Sequence, residues 1–292
     1  MNAMELRPLS TGEILDRTFT LYRRYFLLFL GISAIPYILV LAVNMTRAFL
    51  VSGATTRSLQ ATMSMKTQPT MFEPNALFAT FGLGLLAVVV ALVAYLLSQG
   101  ATVTAVSQIY LGHEITIGES FRRVKGELGS LFGVVILNGL AIIAGFILLI
   151  IPGFYVMSRL IVCIPAAVIE DLGPVDSLER SYGLTEDNAG RAFLIWLLYF
   201  VLVIAGSAMI TWPFTIGMVL SKNNPGMVLL FLEMIQVGTT IITVLIAPVL
   251  TIASSILYFD LRVRKEALDL QMMMKPADAG DPITGGTPTM LS

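Results

Sequence analysis

Apolar runs of roughly 20 residues, the length a helix needs to cross about 30 Å of hydrocarbon, constrain this chain more than any other feature. Six can be delimited: Tyr25–Val43, Leu77–Gln99, Leu131–Ile151, Phe154–Ile169, Ala192–Trp212 and Met227–Tyr258. They account for a composition that is 56% hydrophobic and only 13% charged, where ordinary soluble domains carry about 25% charged residues. The reading is an all-α integral membrane protein. The two middle runs meet at Pro152-Gly153. Proline cannot continue the incoming helix but suits the first turn of the next, so a tight hairpin is expected there. The last run carries Pro248, whose kink frees a backbone carbonyl that must find another partner. Trp196 and Trp212, about 24 Å apart at helical rise, are placed to mark two interfacial belts on the fifth span.

Lys and Arg give the orientation. Thirteen fall on one side: Arg7, Arg17, Arg23, Arg24, Arg122, Arg123, Lys125, Arg180, Arg191, Arg262, Arg264, Lys265 and Lys275. Only Arg47, Arg57, Lys66 and Lys222 fall on the other, with Arg159 inside a span. Positive charge stays in the cytoplasm, so both termini are expected there, and the polar segment Asn44–Asn75 outside. Residues 1–273 read as one polytopic membrane domain and residues 274–292 as a disordered cytoplasmic tail.

A pattern recurs ahead of three of the runs. Ser10–Arg17, Thr116–Arg123 and Gly173–Arg180 align without gaps. Each offers a cap position, an acid three residues later and an arginine four after the acid. The pairs are Glu13 with Arg17, Glu119 with Arg123, and Asp176 with Arg180. The architecture expected is therefore a six-helix transmembrane bundle built as three repeats, each an interfacial amphipathic helix followed by a transmembrane hairpin.

Little chemistry is legible. A net charge of −1 gives no bulk basic character for nucleic acid. With one histidine, His113, and one cysteine, Cys163, no usual zinc site can be assembled. Phosphate-binding and nucleophile-elbow motifs are absent from the sequence. No catalytic residue, metal site or cofactor is expected, and the chain is not expected to be an enzyme. Two ionisable residues do lie in spans, Arg159 six residues after Gly153 and Glu233 seven after Gly226. Their matching depths suggest a buried ion pair. Glu233 also heads a stripe of Gln236, Thr240, Thr243, Thr251 and Ser254 on one helix face. Such a stripe either packs helices together or lines a polar path.

The opening Leu6-Arg7-Pro8-Leu9-Ser10 with Gly12–Arg17 and Leu21-Tyr22-Arg23-Arg24, then Pro152-Gly153, Arg159-Leu160 and Glu170, and the closing Tyr258–Glu266 resemble the membrane domain of the glycerophosphoryl diester phosphodiesterase family. The resemblance covers about residues 6–270. It implies a bacterial inner-membrane location and a domain of a kind that can be fused ahead of a soluble phosphodiesterase. The histidines and acids that the phosphodiesterase sets around a metal are not available here. The expectation is a non-catalytic module organising lipid, membrane shape or a partner enzyme. Membrane lipids and a separate phosphodiesterase or other membrane protein are the candidate partners. A small transporter or channel component, with its path along the last helix, is the alternative.

Overall fold

The computed structural model describes the backbone of residues 8–63 and 74–273 and the side chains of residues 8–50 and 81–266. The expected tail, residues 274–292, lies outside the described residues, as do residues 64–73 of the expected outer segment. Among the described residues the protein is all helical, with ten α-helices. Six segments are long and apolar enough to cross a membrane. They are Phe26–Leu50 in α2 (Phe26–Met63), Phe81–Tyr110 in α3 (Pro74–Tyr110), and α5 (Leu128–Leu148). The fourth joins α6 (Ile150–Arg159) to α7 (Cys163–Glu170), and the last two lie in α9 (Ala189–Leu220) and α10 (Pro225–Met273). This is a multi-pass helical membrane bundle. Most of its spans run beyond the limits read from the sequence, because helix continues past the apolar window wherever neighbours or solvent satisfy the side chains.

The three patterned segments form α1 (Thr11–Arg24), α4 (Ile117–Val124) and α8 (Pro174–Leu184). Ser10 and Thr116 close full capping boxes with Glu13 and Glu119. Ser10 N–H donates to the Glu13 carboxylate at 2.7 Å, and Thr116 N–H to Glu119 at 3.0 Å. The third start differs from expectation: Gly173 has no side chain, α8 has no side-chain cap, and Pro174 opens the helix instead. Proline lacks the N–H that a cap would otherwise have to satisfy. The fourth residue after the cap position is Ile14, Ser120 or Ser177, and the eighth is Thr18, Val124 or Ser181. All six are fully buried.

What they are buried against follows one rule. Helix α4 packs on α3 and α2, α8 packs on α5 and α7, and α1 packs chiefly on α10, with smaller contacts to α2 and α9. Each capped helix therefore lies on the hairpin that precedes it, and the first lies on the last. The core sits where α3, α7 and α10 meet, around Ala105, Val106, Cys163, Ile252, Ile256 and Tyr258. The return strut of the middle hairpin is broken: α6 ends at Arg159, the chain turns through Leu160–Val162, and α7 restarts at Cys163. Near Pro248, which lies inside α10, the Tyr22 hydroxyl donates to the Leu245 carbonyl at 2.8 Å, so α1 supplies a partner next to the proline gap.

Candidate functional site

The central helices enclose a cavity of about 50 Å³, one wall of which is Gln99 on α3, Thr251 and Ser254 on α10, and Asn138 on α5. Trp196 of α9 closes it, so this indole faces inward and does not mark a membrane belt. Trp212 is exposed, as a belt residue should be. The Thr251 hydroxyl donates to the Gln99 amide oxygen. Asn138 Oδ1 and Trp196 Nε1 are buried without a protein partner. An acceptor and a donor left open around a space of this size make a site for ordered water, too small for a larger solute.

The rest of the predicted stripe does not extend that cavity. Thr240 donates to Gln236 O and Thr243 to Thr239 O, each at 2.8–2.9 Å. These hydroxyls satisfy themselves on their own helix, so the stretch from Gln236 to Thr243 packs as helix surface. Only Thr251 and Ser254, at its inner end, reach the cavity.

Arg159 and Glu233 do not pair. Arg159 is 6% exposed and is held by its neighbours on α6 and α8. Its Nη1 donates to the Tyr155 hydroxyl at 3.0 Å and its Nη2 to the Tyr182 carbonyl at 2.7 Å. The guanidinium lies 3.8 Å from the centroid of the Tyr182 ring, a cation–π contact. Among the described residues no ion pair reaches Arg159 or Glu233, and Glu233 is half-buried on α10. The depth count sets Gly153 and Gly226 at one level and carries no information on which helix Arg159 faces; its guanidinium turns to Tyr182 of α8.

Two charged clusters, which the sequence did not mark as sites, tie distant segments together. Asp260 has no exposed side-chain surface and accepts from Leu9 N–H at 2.6 Å. Arg191 and Arg264 each pair with it at 2.9 Å. Both arginines also donate to the Leu9 carbonyl. In the second cluster, Arg180 grips Glu170 through Nε and Nη2 at 2.8–3.0 Å and also pairs with Glu266. Tyr258 donates to Glu170, and Arg262 pairs with Glu266. The Glu170 hydrogen bond, with that to Glu266, holds the Arg180 pKa above its ordinary value. The i, i+4 spacing of Asp260 with Arg264 and of Arg262 with Glu266 was visible in the sequence; their long-range partners were not.

The other motif residues take more local roles. Arg17 lies against the Tyr110 hydroxyl. Glu119 is consumed by its capping box, which holds its carboxyl below the usual range. Arg123 and Asp176 are exposed. Among the described residues no three His, Cys, Asp or Glu side chains converge on a point that could hold a metal.

Fold and site together define a multi-pass helical membrane protein with, among the described residues, a small central cavity, a buried arginine and two charged clusters. No protein family matches the chain, and no curated protein or solved structure does.

Proposed function

We propose that this protein is a non-catalytic module of a bacterial inner membrane that organises anionic lipid at the surface formed by α1, α4 and α8, beside a partner enzyme. The observation that carries this reading is the division of each capped helix into two faces. One face is buried on a hairpin, the preceding one for α4 and α8 and the last for α1, and on α4 the opposite side exposes Arg122 and Arg123, with exposed Lys125 just beyond. Basic residues held at a membrane surface attract anionic headgroups by about 1 kcal/mol each. The threefold recurrence of the pattern supports an internal repeat, and the lysine and arginine distribution supports placing this surface in the cytoplasm. The resemblance of the opening and closing motifs to the phosphodiesterase membrane domain supports a separate phosphodiesterase as the enzyme served.

The test is native mass spectrometry of lipid retained by the protein from mixed zwitterionic and anionic bilayers. Anionic lipid should be enriched in the wild type. Combined Arg122→Ala, Arg123→Ala and Lys125→Ala should reduce the enrichment without changing helix content. Equal retention of the two lipid classes by the wild type would contradict the reading. The transporter alternative draws on the central cavity, and the self-bonded hydroxyls of Thr240 and Thr243 weigh against a continuous path.

A further inference from the structure

We propose that the α5–α6 hairpin does not cross the bilayer: it enters from the side on which Leu9 and Lys265 lie, ends among the acyl chains of that leaflet, and returns to the same side. Its reach is the first argument. Arg159, the last residue of α6, is fixed to α8, because its carbonyl accepts from Ser181 Oγ at 2.8 Å and Thr185 Oγ1 at 2.9 Å. Helix α8 is in turn fixed to the charged end of α10, where Lys265 donates to the Gly183 carbonyl at 2.6 Å. From Arg159 back to Ile150 is nine helical steps, about 14 Å. That strut does not traverse a hydrocarbon core of about 30 Å, and α5, with 21 residues, would accordingly run obliquely or begin outside the core.

The neighbouring spans give the comparison. Met157 and Trp196 line the same cavity. Beyond it, α6 has eight steps left to Leu149, about 12 Å, whereas α9 has twenty-four to Leu220, about 36 Å. Helices α9 and α10 stay paired along that length, with Ile210 against Gly238 and Phe231 against Gly217. Near its tip the hairpin meets the beginning of α9. Ile151, Phe154 and Tyr155 face Ala189, Gly190 and Phe193 across a groove, and the Phe154 and Phe193 ring centroids are 6.0 Å apart.

The chemistry of the tip agrees. No charged residue occurs from Leu131 to Ser158. Ile147, Leu148, Leu149, Ile150 and Ile151 are 68–83% exposed. The α9–α10 connection, by contrast, is Ser221-Lys222-Asn223-Asn224, and the sequence from Asn44 to Asn75 carries Arg47, Arg57 and Lys66. At the turn Leu149 is bonded on both sides, which lowers the cost of placing it in hydrocarbon: its N–H donates to Gly145 O at 3.2 Å, and its carbonyl accepts from Gly153 N–H at 3.1 Å. The occupant of this exposed apolar surface is therefore the acyl chains of one leaflet, and the hairpin adds volume to that leaflet alone. This goes beyond the proposed function, since it holds whichever lipid the surface prefers.

The experiment uses the full chain with Cys163→Ala, reconstituted into phosphatidylethanolamine–phosphatidylglycerol vesicles. Single cysteines are placed at Leu149, at Ile147 as a second tip position, at Asn223 and at Glu114. Asn223 and Glu114 should react with an impermeant maleimide from opposite sides. Leu149 and Ile147 should react from neither, at a small fraction of the Asn223 rate. Spin labels at the two tip positions should collide readily with oxygen and poorly with a nickel chelate, at a depth within the leaflet on the Glu114 side. Labelling of either tip position from the Asn223 side, or a depth in that leaflet, would overturn the proposal. The tip side chains contribute little to the core, so these variants should keep the elution profile of the parent.

Discussion

Arg159 shows how a buried cation is held here without a carboxylate. Its two hydrogen bonds go to a tyrosine hydroxyl and a backbone carbonyl, and a tyrosine ring covers its face. Removing it as Arg159→Leu should cost on the order of 3 kcal/mol, the sum of charge-assisted hydrogen bonds and a cation–π contact. Glu233→Leu, which breaks no ion pair among the described residues, should stay within about 0.5 kcal/mol. Denaturant unfolding in detergent should find the double variant additive to within about 0.5 kcal/mol; a double variant milder than Arg159→Leu alone would show that the two charges meet after all. Glu119 carries a pH-dependent prediction. Its carboxyl is held below the usual range by hydrogen bonds from the Thr116 backbone and hydroxyl. A lowered carboxylate stabilises the fold above its unfolded pKa, and the effect is lost as pH falls through the folded value. Hydrogen-exchange protection of the first turn of α4 should therefore fall below about pH 4.5 in the wild type. In Glu119→Gln it should be weaker and flat across that range.

Elements were the most legible level, though unevenly so. The apolar runs and the capping boxes at Ser10 and Thr116 follow from local rules, so the sequence alone located α1, α4 and the spans. The break after Arg159 did not show, because Leu160–Val162 are ordinary helix formers and the turn is imposed by α8 gripping the Arg159 carbonyl. Trp196 misled for a related reason: helical spacing put it at a belt, and packing turned it inward. At the hairpin tip, glycines are needed for contact rather than for turning. A Cβ on Gly153 would meet the Phe146 ring at 2.4–2.8 Å, and one on Gly145 would meet Gly153 Cα at 3.1 Å. Gly153→Ala should thus lower stability by about 1–3 kcal/mol, despite a helix-propensity gain of up to ~1 kcal/mol. Gly139→Ala, with nothing within 4 Å, should show only the gain. Thermal melts of the two variants side by side would separate contact from propensity; equal shifts would mean the hairpin is not closely packed.

At the scale of the molecule, the organising relation is that each capped helix lies on the preceding hairpin and the first lies on the last. The long-range bonds from Leu9 to Asp260 and from Tyr22 to Leu245 are what close that circuit. No local signal in the sequence pairs residues so far apart, although the opening and closing motifs that prompted the family resemblance are the segments that meet. Closure is tested most directly by a cross-link. Thr11 and Asn188 both bond the Arg191 guanidinium, so cysteines at these two positions, in a Cys163→Ala background with a protease site introduced within residues 64–73, should be joined by a short bismaleimide. After cleavage the two fragments should stay together on a denaturing gel. Their separation, under conditions where a Gly31→Cys, Ile117→Cys pair, also in contact across the cleavage site, still holds the fragments together, would show that α1 does not lie against the last hairpin and would contradict the account.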